Sequence, residues 1–315
     1  MNTLGKFIDP SRAARLGRDA RSQEHWLGLG REGFACDYDR EPFLVEHKLE
    51  AHPLLQRDEL FDLCRRLPRD SIGLRYGQVP VEEDLGNAFR RYGLGIDLED
   101  ALKHFEERGA YIVINNPERD SRYREPIERL LGEIAESTEQ LDPGITWYST
   151  YVFITSREAL TPYHMDRELN FLFQVCGTKQ VKLWDPADDE VMSPAQKDEL
   201  LAYGSQLRPP YKASFESKAR VFELRPGLGV HHPFIAPHVV RTESTFSISL
   251  ALTYRTRRTD ILTAAHRLNH ALRKRGWTPR SVGIHPTLDR TKATLTRVLR
   301  GSRAAARALG HLGGR

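Results

Sequence analysis

The sequence predicts a mostly β fold with flanking helices, of jelly-roll type, followed by a helical C-terminal extension. Many short segments between 147 and 254 are rich in β-branched and aromatic residues and are separated by Pro and Gly, as in a closed or double-sheet β architecture. Before Pro143-Gly144 the chain is dominated by amphipathic helical spacing, and after Tyr254 that spacing returns.

Taken in order, residues 1–40 are polar, Arg-rich and poorly periodic, and are expected to form a flexible, loosely held N-terminal arm. Regular structure begins at Phe43-Leu44-Val45. The stretch 56–67 reads as a helix with Leu60, Phe61, Cys64 and Leu67 on one face, and 98–108 as another, stopped at Gly109. A strand is expected at 111–115 and a helix at 125–136. Strands then follow at 147–155, 169–175, 180–184, 219–224, 229–232, 238–241 and 245–254, with one helix at 194–203. The short gap at Cys176-Gly177-Thr178 suggests a hairpin or a bulged continuation. Helices at 261–272 and 287–309 close the chain. The expected organisation is an arm (1–40), a catalytic β domain (41–255, core 147–255) and a basic helical extension (256–315).

With 315 residues and ordinary apolar, charged and aromatic fractions, the composition is that of a soluble globular protein. No apolar run approaches the roughly 20 residues needed to span a bilayer, and the Arg-rich start lacks the apolar stretch of a secretory signal. Three widely spaced cysteines argue against a disulfide framework or a zinc site, so a reducing cytoplasm is expected. The net charge of +4 is unevenly spread. Residues 255–315 hold 15 of the 47 Lys/Arg and 2 of the 43 Asp/Glu, a local +13, which leaves −9 on the rest. Such a tail packs on acidic surface or contacts nucleic acid; its helical apolar spacing favours packing on the acidic core of its own chain or on a second subunit, a homodimer through 256–315 being one such arrangement, over nucleic acid.

The chemistry concentrates at 161–179. His164 and Asp166 are two residues apart, and on a strand or strand end such residues project the same way. Alone the pair is weak, because a surface His and a turn-capping Asp occur often. A third ligand returns downstream, where His238 follows a Pro-Gly turn and precedes the most regular strand. His231 and His232 compete with it, and spacing does not choose among the three. Two imidazoles and one carboxylate form a face that leaves positions open on a metal and suits non-haem Fe(II). Lys179 sits in a strand context, where an inward ammonium needs an anion; the bland alternative is an edge Lys in solvent. Thr161 and Asn170 are small hydrogen-bonding groups that either complete such a site or serve as turn and cap residues.

The segment Thr161, Pro162, His164, Asp166, Asn170, Gln174, Gly177, Lys179, together with Pro237-His238, resembles the JmjC/cupin-like family of Fe(II)- and 2-oxoglutarate-dependent oxygenases. It is most similar to the hydroxylase branch, typified by the factor-inhibiting-HIF asparaginyl hydroxylase. The resemblance implies a double-stranded β-helix that holds Fe(II) through His164, Asp166 and His238. It implies Lys179 and Thr161 at the far carboxylate of 2-oxoglutarate and Asn170 near the end that chelates iron. It further implies O2-dependent hydroxylation of a protein, peptide or small-molecule substrate, with release of succinate and CO2. Asp at the second ligand position tilts the reading towards hydroxylation. Two departures stand out: Val230-His231-His232-Pro233, where the family has an apolar or aromatic strand, and Ala251, where the asparaginyl hydroxylase has Asn near the co-substrate. The substrate of that protein therefore does not carry over. The competing expectation is a non-catalytic cupin-like binding protein whose basic tail contacts a partner or nucleic acid.

Overall fold

The clearest alternating segment of the sequence becomes an eleven-residue strand, Phe246–Thr256, paired with a neighbour on each side. The computed structural model describes residues 5–312 except 31, 77, 204–209 and 245; the expected strand start at 245 lies outside the described residues. The strands are β1 (Lys6–Phe7), β2 (Leu44–Glu46), β3 (Ile72–Tyr76), β4 (Ala110–Asn115), β5 (Ile145–Ser156), β6 (Leu160–Met165), β7 (Leu169–Cys176), β8 (Lys179–Leu183), β9 (Arg220–Leu224), β10 (Leu228–His232), β11 (Pro237–Thr242) and β12 (Phe246–Thr256). The helices are α1 (Pro10–Ala20), α2 (Phe34–Asp37), α3 (Arg57–Arg66), α4 (Leu85–Tyr92), α5 (Leu98–Lys103), α6 (Arg124–Thr138), α7 (Pro194–Tyr203), α8 (Arg257–Arg273) and α9 (Pro286–Leu312). None of the helices, among the described residues, is long and apolar enough to cross a membrane.

Among the described residues, every strand pair is antiparallel. The larger sheet runs β2-β10-β7-β12-β5-β4-β3, with β1 on β5, and the smaller runs β6-β11-β8-β9. From β5 to β12 the chain alternates between the two sheets, apart from the β8–β9 hairpin, which makes a double-stranded β-helix of jelly-roll, cupin type. Period-two alternation turns one face of each sheet inward. Leu172, Val230 and Ala251 of the larger sheet meet Val181, Leu183, Leu224 and Val240 of the smaller. Each such Leu or Val side chain contributes about 1.5–3 kcal/mol over leaving it in water.

Cys176-Gly177-Thr178 forms neither a hairpin nor a continuation. β7 pairs with β10 and β12, whereas β8 pairs with β11 and β9, so the chain changes sheet here. Gly177 makes the change with φ +71°, in the left-handed region that side chains avoid. A Cβ there would lie 2.2 Å from the Phe246 carbonyl oxygen. The Gln174 amide pins the turn, donating to the carbonyls of Cys176 (2.6 Å) and Gly177 (3.1 Å) and to Ser247 Oγ (2.8 Å).

The stretch expected as a loose arm contains α1, a helix capped by Asp9, whose carboxylate accepts from the Ser11 N–H, with Pro10 at its first position. Its buried residues are Ala13, Gly17 and Ala20. Against α6 it packs closely enough that a Cβ on Gly132 would lie 2.7 Å from the Leu16 carbonyl oxygen. The inward face is made of small residues, so the stretch lacks the large apolar stripe by which a helix is recognised.

The chain divides into one unit of 1–186 and 210–256 and a second of 187–209 and 257–315. The expected extension thus includes α7, an insertion between β8 and β9. Within this second unit Asp198 of α7 accepts from His266 Nδ1 and Arg273 Nε of α8, both at 2.7 Å. Thr296 of α9 donates to the Ala264 carbonyl of α8 at 2.8 Å. Leu295, Val298 and Leu299 form an exposed stripe on α9.

Candidate metal centre

β6 and β11 pair so that His164 and His238 are direct cross-strand partners, with a bulge following His238. Directly opposed side chains on an antiparallel pair share one face, and the two imidazole centroids lie 4.0 Å apart. Asp166 follows the end of β6, half-buried, and its Oδ2 lies 3.9 Å from His238 Nε2. One ligand atom from each of His164, Asp166 and His238 can be chosen so that all three lie within 4.8 Å of one another.

The same backbone device orients both imidazoles. His164 Nδ1 lies 2.8 Å from the Pro162 carbonyl, and His238 Nδ1 lies 3.0 Å from the Ala236 carbonyl. A carbonyl only accepts, so each Nδ1 carries the proton and each Nε2 a lone pair. That tautomer is the one a metal takes, with a second hydrogen bond fixing the ring. Two nitrogens and one carboxylate oxygen on one face match the donor set of a non-haem iron centre.

The three candidate histidines separate in the structure. His231 is a core residue: its Nδ1 donates to the Asn170 carbonyl (3.0 Å), and its ring packs on Tyr38, Phe43 and Phe171. His232, one residue on, faces the other way by strand alternation. It is buried, its ring centroid is 4.5 Å from that of His238, and neither ring nitrogen has a hydrogen-bond partner among the described residues.

Lys179 begins β8 and is 3% exposed. Its Nζ donates to Ser249 Oγ of β12 at 2.6 Å and lies 5.7 Å from the Phe153 ring centroid. No carboxylate pairs with it among the described residues. Burial alone pushes its pKa down to about 7. Thr161 Oγ1 shares a 2.6 Å hydrogen bond with the hydroxyl of Tyr111, whose ring packs on Phe153. The Arg75 guanidinium lies 3.9 Å from the Tyr111 ring centroid, and it opposes the rise that burial causes in the Tyr111 pKa. Asn170, on β7, pairs across the strands with His232 on one side and Thr253 on the other, and its buried Oδ1 has no partner among the described residues. Beside Asp166, burial and the neighbouring carboxylate push the Glu168 pKa up to about 7.

Spacing paired His164 with Asp166 and left His231, His232 and His238 as competing third ligands; the family resemblance singled out His238 and set Lys179, Thr161 and Asn170 around the three. In the structure His164, Asp166 and His238 lie together, and the others occupy inward-facing strand positions. It missed Tyr111, Arg75 and Ser249. Tyr111 was legible only as a strand residue, because nothing local marks which face of β4 meets β6.

No family model matches the sequence, and no curated protein matches it. Among solved structures, the X-ray structure of E. coli YcfD is 13% identical with a TM-score of 0.42, over 81% of this chain and 60% of that one. A second, of the Escherichia coli ribosomal oxygenase YcfD, is 14% identical with a TM-score of 0.40, over 86% and 64%. Oxalate decarboxylase of Bacillus subtilis is 10% identical with a TM-score of 0.25, over 47% and 26%. The chain thus spans about three-fifths of the length of the YcfD structures.

Proposed function

We propose that this chain is an Fe(II)- and 2-oxoglutarate-dependent oxygenase that hydroxylates an unactivated C–H of a protein, peptide or small-molecule substrate. The observation that carries the reading is Lys179, a buried ammonium with no carboxylate partner among the described residues, inside the β-helix that also holds the His164, Asp166, His238 cluster. An unpaired buried charge is costly, so the fold retains a place for an anion. A dicarboxylate that also chelates a metal answers both features.

In this reading His164, Asp166 and His238 hold Fe(II), with Pro162 and Ala236 keeping each imidazole in its binding tautomer. Lys179 and Thr161 receive the far carboxylate of 2-oxoglutarate, and the Tyr111 hydroxyl orients Thr161. Asn170 lies at the chelating end. The apolar lining from Leu172, Val240 and Ala251 keeps water from the space between. Iron and the keto acid, once bound, supply the chemistry in which one oxygen of O2 enters the C–H bond and the other enters succinate as CO2 leaves.

The pH dependence of 2-oxoglutarate binding tests this. The anion binds the ammonium form. With the free Lys179 pKa near 7, affinity is level below that pH. Above it each binding event takes up a proton, so Kd rises by up to about tenfold per pH unit. The measurement is calorimetric titration of the Fe(II)-loaded protein under nitrogen from pH 6 to 9. A Kd that does not change across that range contradicts Lys179 as the carboxylate anchor.

We infer in addition that 256–315 self-associates. The exposed stripe of Leu295, Val298 and Leu299 offers a helical apolar seam. The double substitution Leu295→Asp with Val298→Asp is expected to halve the mass seen by light scattering. An unchanged mass removes the seam from the assembly.

A further inference from the structure

Among the described residues, three buried polar atoms beside the metal ligands stand without partners: both ring nitrogens of His232 and Oδ1 of Asn170. The two residues are cross-strand partners on β10 and β7. Two residues along, Val230 and Leu172 are partners of each other on the same faces, and both belong to the apolar core between the sheets. His232 and Asn170 therefore face the inside of the β-helix, and the 4.5 Å between the His232 and His238 centroids puts them beside the metal ligands. A buried polar atom left without a hydrogen bond is costly. Three of them side by side in one row mark a place that a ligand completes.

The strand register says which part of a ligand. Lys179 Nζ is held by Ser249, which pairs with Gln174 on β7. Asn170 lies four residues further along β7, roughly 13 Å away at strand rise. A five-carbon diacid anchored at Lys179 and running along this strand points its other end at His232, Asn170 and the cluster of His164, Asp166 and His238. That end carries a carboxylate and a keto oxygen, both acceptors. The imidazole of His232 has an N–H to give. The Asn170 carboxamide, turned end for end at nearly constant shape, presents Nδ2–H in place of Oδ1.

We propose that His232, with Asn170, is the hydrogen-bonding cradle for the metal-chelating end of the keto acid. The inference rests on the proposed function above and deepens it: the donor at this end is an imidazole on β10. His232 is then a positioning and specificity residue for 2-keto acids over simple dicarboxylates.

The test compares 2-oxoglutarate with succinate, which keeps a carboxylate for Lys179 and lacks the keto-acid group. Both are titrated into Fe(II)-loaded parent, His232→Leu, His232→Gln and Asn170→Leu proteins under nitrogen. His232→Leu and Asn170→Leu are each expected to weaken 2-oxoglutarate about tenfold or more, the loss of one hydrogen bond to a charged group, and to leave succinate within about twofold. His232→Gln, which keeps an N–H, stays near the parent, and it carries the comparison alongside Asn170→Leu should the leucine variant at 232 not fold. Unchanged 2-oxoglutarate affinity in His232→Leu and Asn170→Leu overturns the proposal. So does an equal loss for both ligands, since His232 would then serve only to support His238. Absence of 2-oxoglutarate binding by the parent protein is a different failure, which overturns the oxygenase reading and the cradle with it.

Discussion

The Lys179→Met protein is expected to melt higher than its parent in the absence of ligand and to lose its response to 2-oxoglutarate. Both effects come from one side chain. In the folded protein the ammonium is buried, with Ser249 Oγ as its hydrogen-bond partner, and its pKa falls from 10.5 to about 7. The folded state therefore binds the proton less well than the unfolded chain does. The penalty is full below about pH 7 and fades as pH rises towards 10.5, where the unfolded chain also loses its proton. Methionine fills similar space without a charge, at the expense of the bond to Ser249. The net gain at pH 7 is on the order of 2 kcal/mol, a rise of roughly 4–8 °C in melting temperature, shrinking towards pH 10. The anchor for the far carboxylate is lost in the same step, so 2-oxoglutarate adds no further stabilisation. Differential scanning fluorimetry with and without Fe(II) and 2-oxoglutarate reads both effects. A variant that is destabilised and still shifted by 2-oxoglutarate contradicts the assignment of Lys179.

Asp166→Ala is expected to abolish Fe(II) binding and leave the fold intact. Its carboxylate is half-buried beyond the end of β6, outside the apolar core between the sheets, and supplies the anionic group of the three-residue cluster. Loss of a residue that merely supports a ligand costs about 10–100-fold in metal affinity, so loss of a ligand itself costs more. His164→Ala behaves alike in binding and additionally leaves a cavity between β6 and β11. Fe(II) affinity by anaerobic titration, with circular dichroism as the check on folding, measures both. Parent-like iron binding by either variant dissolves the cluster as a metal site.

What the sequence made legible was what repeats locally. Most strands from 145 to 256 announce themselves by alternation and by Pro and Gly, and the His164–Asp166 pair was legible because the two sit two residues apart, whereas His238 was distinguished from His231 and His232 only by the family resemblance. Even there, nothing in the sequence marks β6 as a strand, because Thr161-Pro162-Tyr163-His164 lacks a clear apolar–polar alternation and carries a Pro. The loose arm failed for a related reason: Ala13, Gly17 and Ala20 bury a helix face too small to leave an apolar signature. The roles of His231 and His232 depend on which strand face meets the interior. That is fixed by the pairing of β10 with β7, a long-range register that no local pattern encodes. Tyr111 and Ser249 meet Thr161 and Lys179 from strands 50 and 70 residues away in the chain.

The most direct measurement is titration of 2-oxoglutarate, under nitrogen, into the same protein with and without Fe(II). A metal-bound chelate and a buried Lys179 anchor acting on one molecule give tight binding with Fe(II) and binding at least about tenfold weaker without it, a coupling of 1.4 kcal/mol or more. Equal affinity in both states, or none in either, contradicts a site in which His164, Asp166, His238 and Lys179 work together.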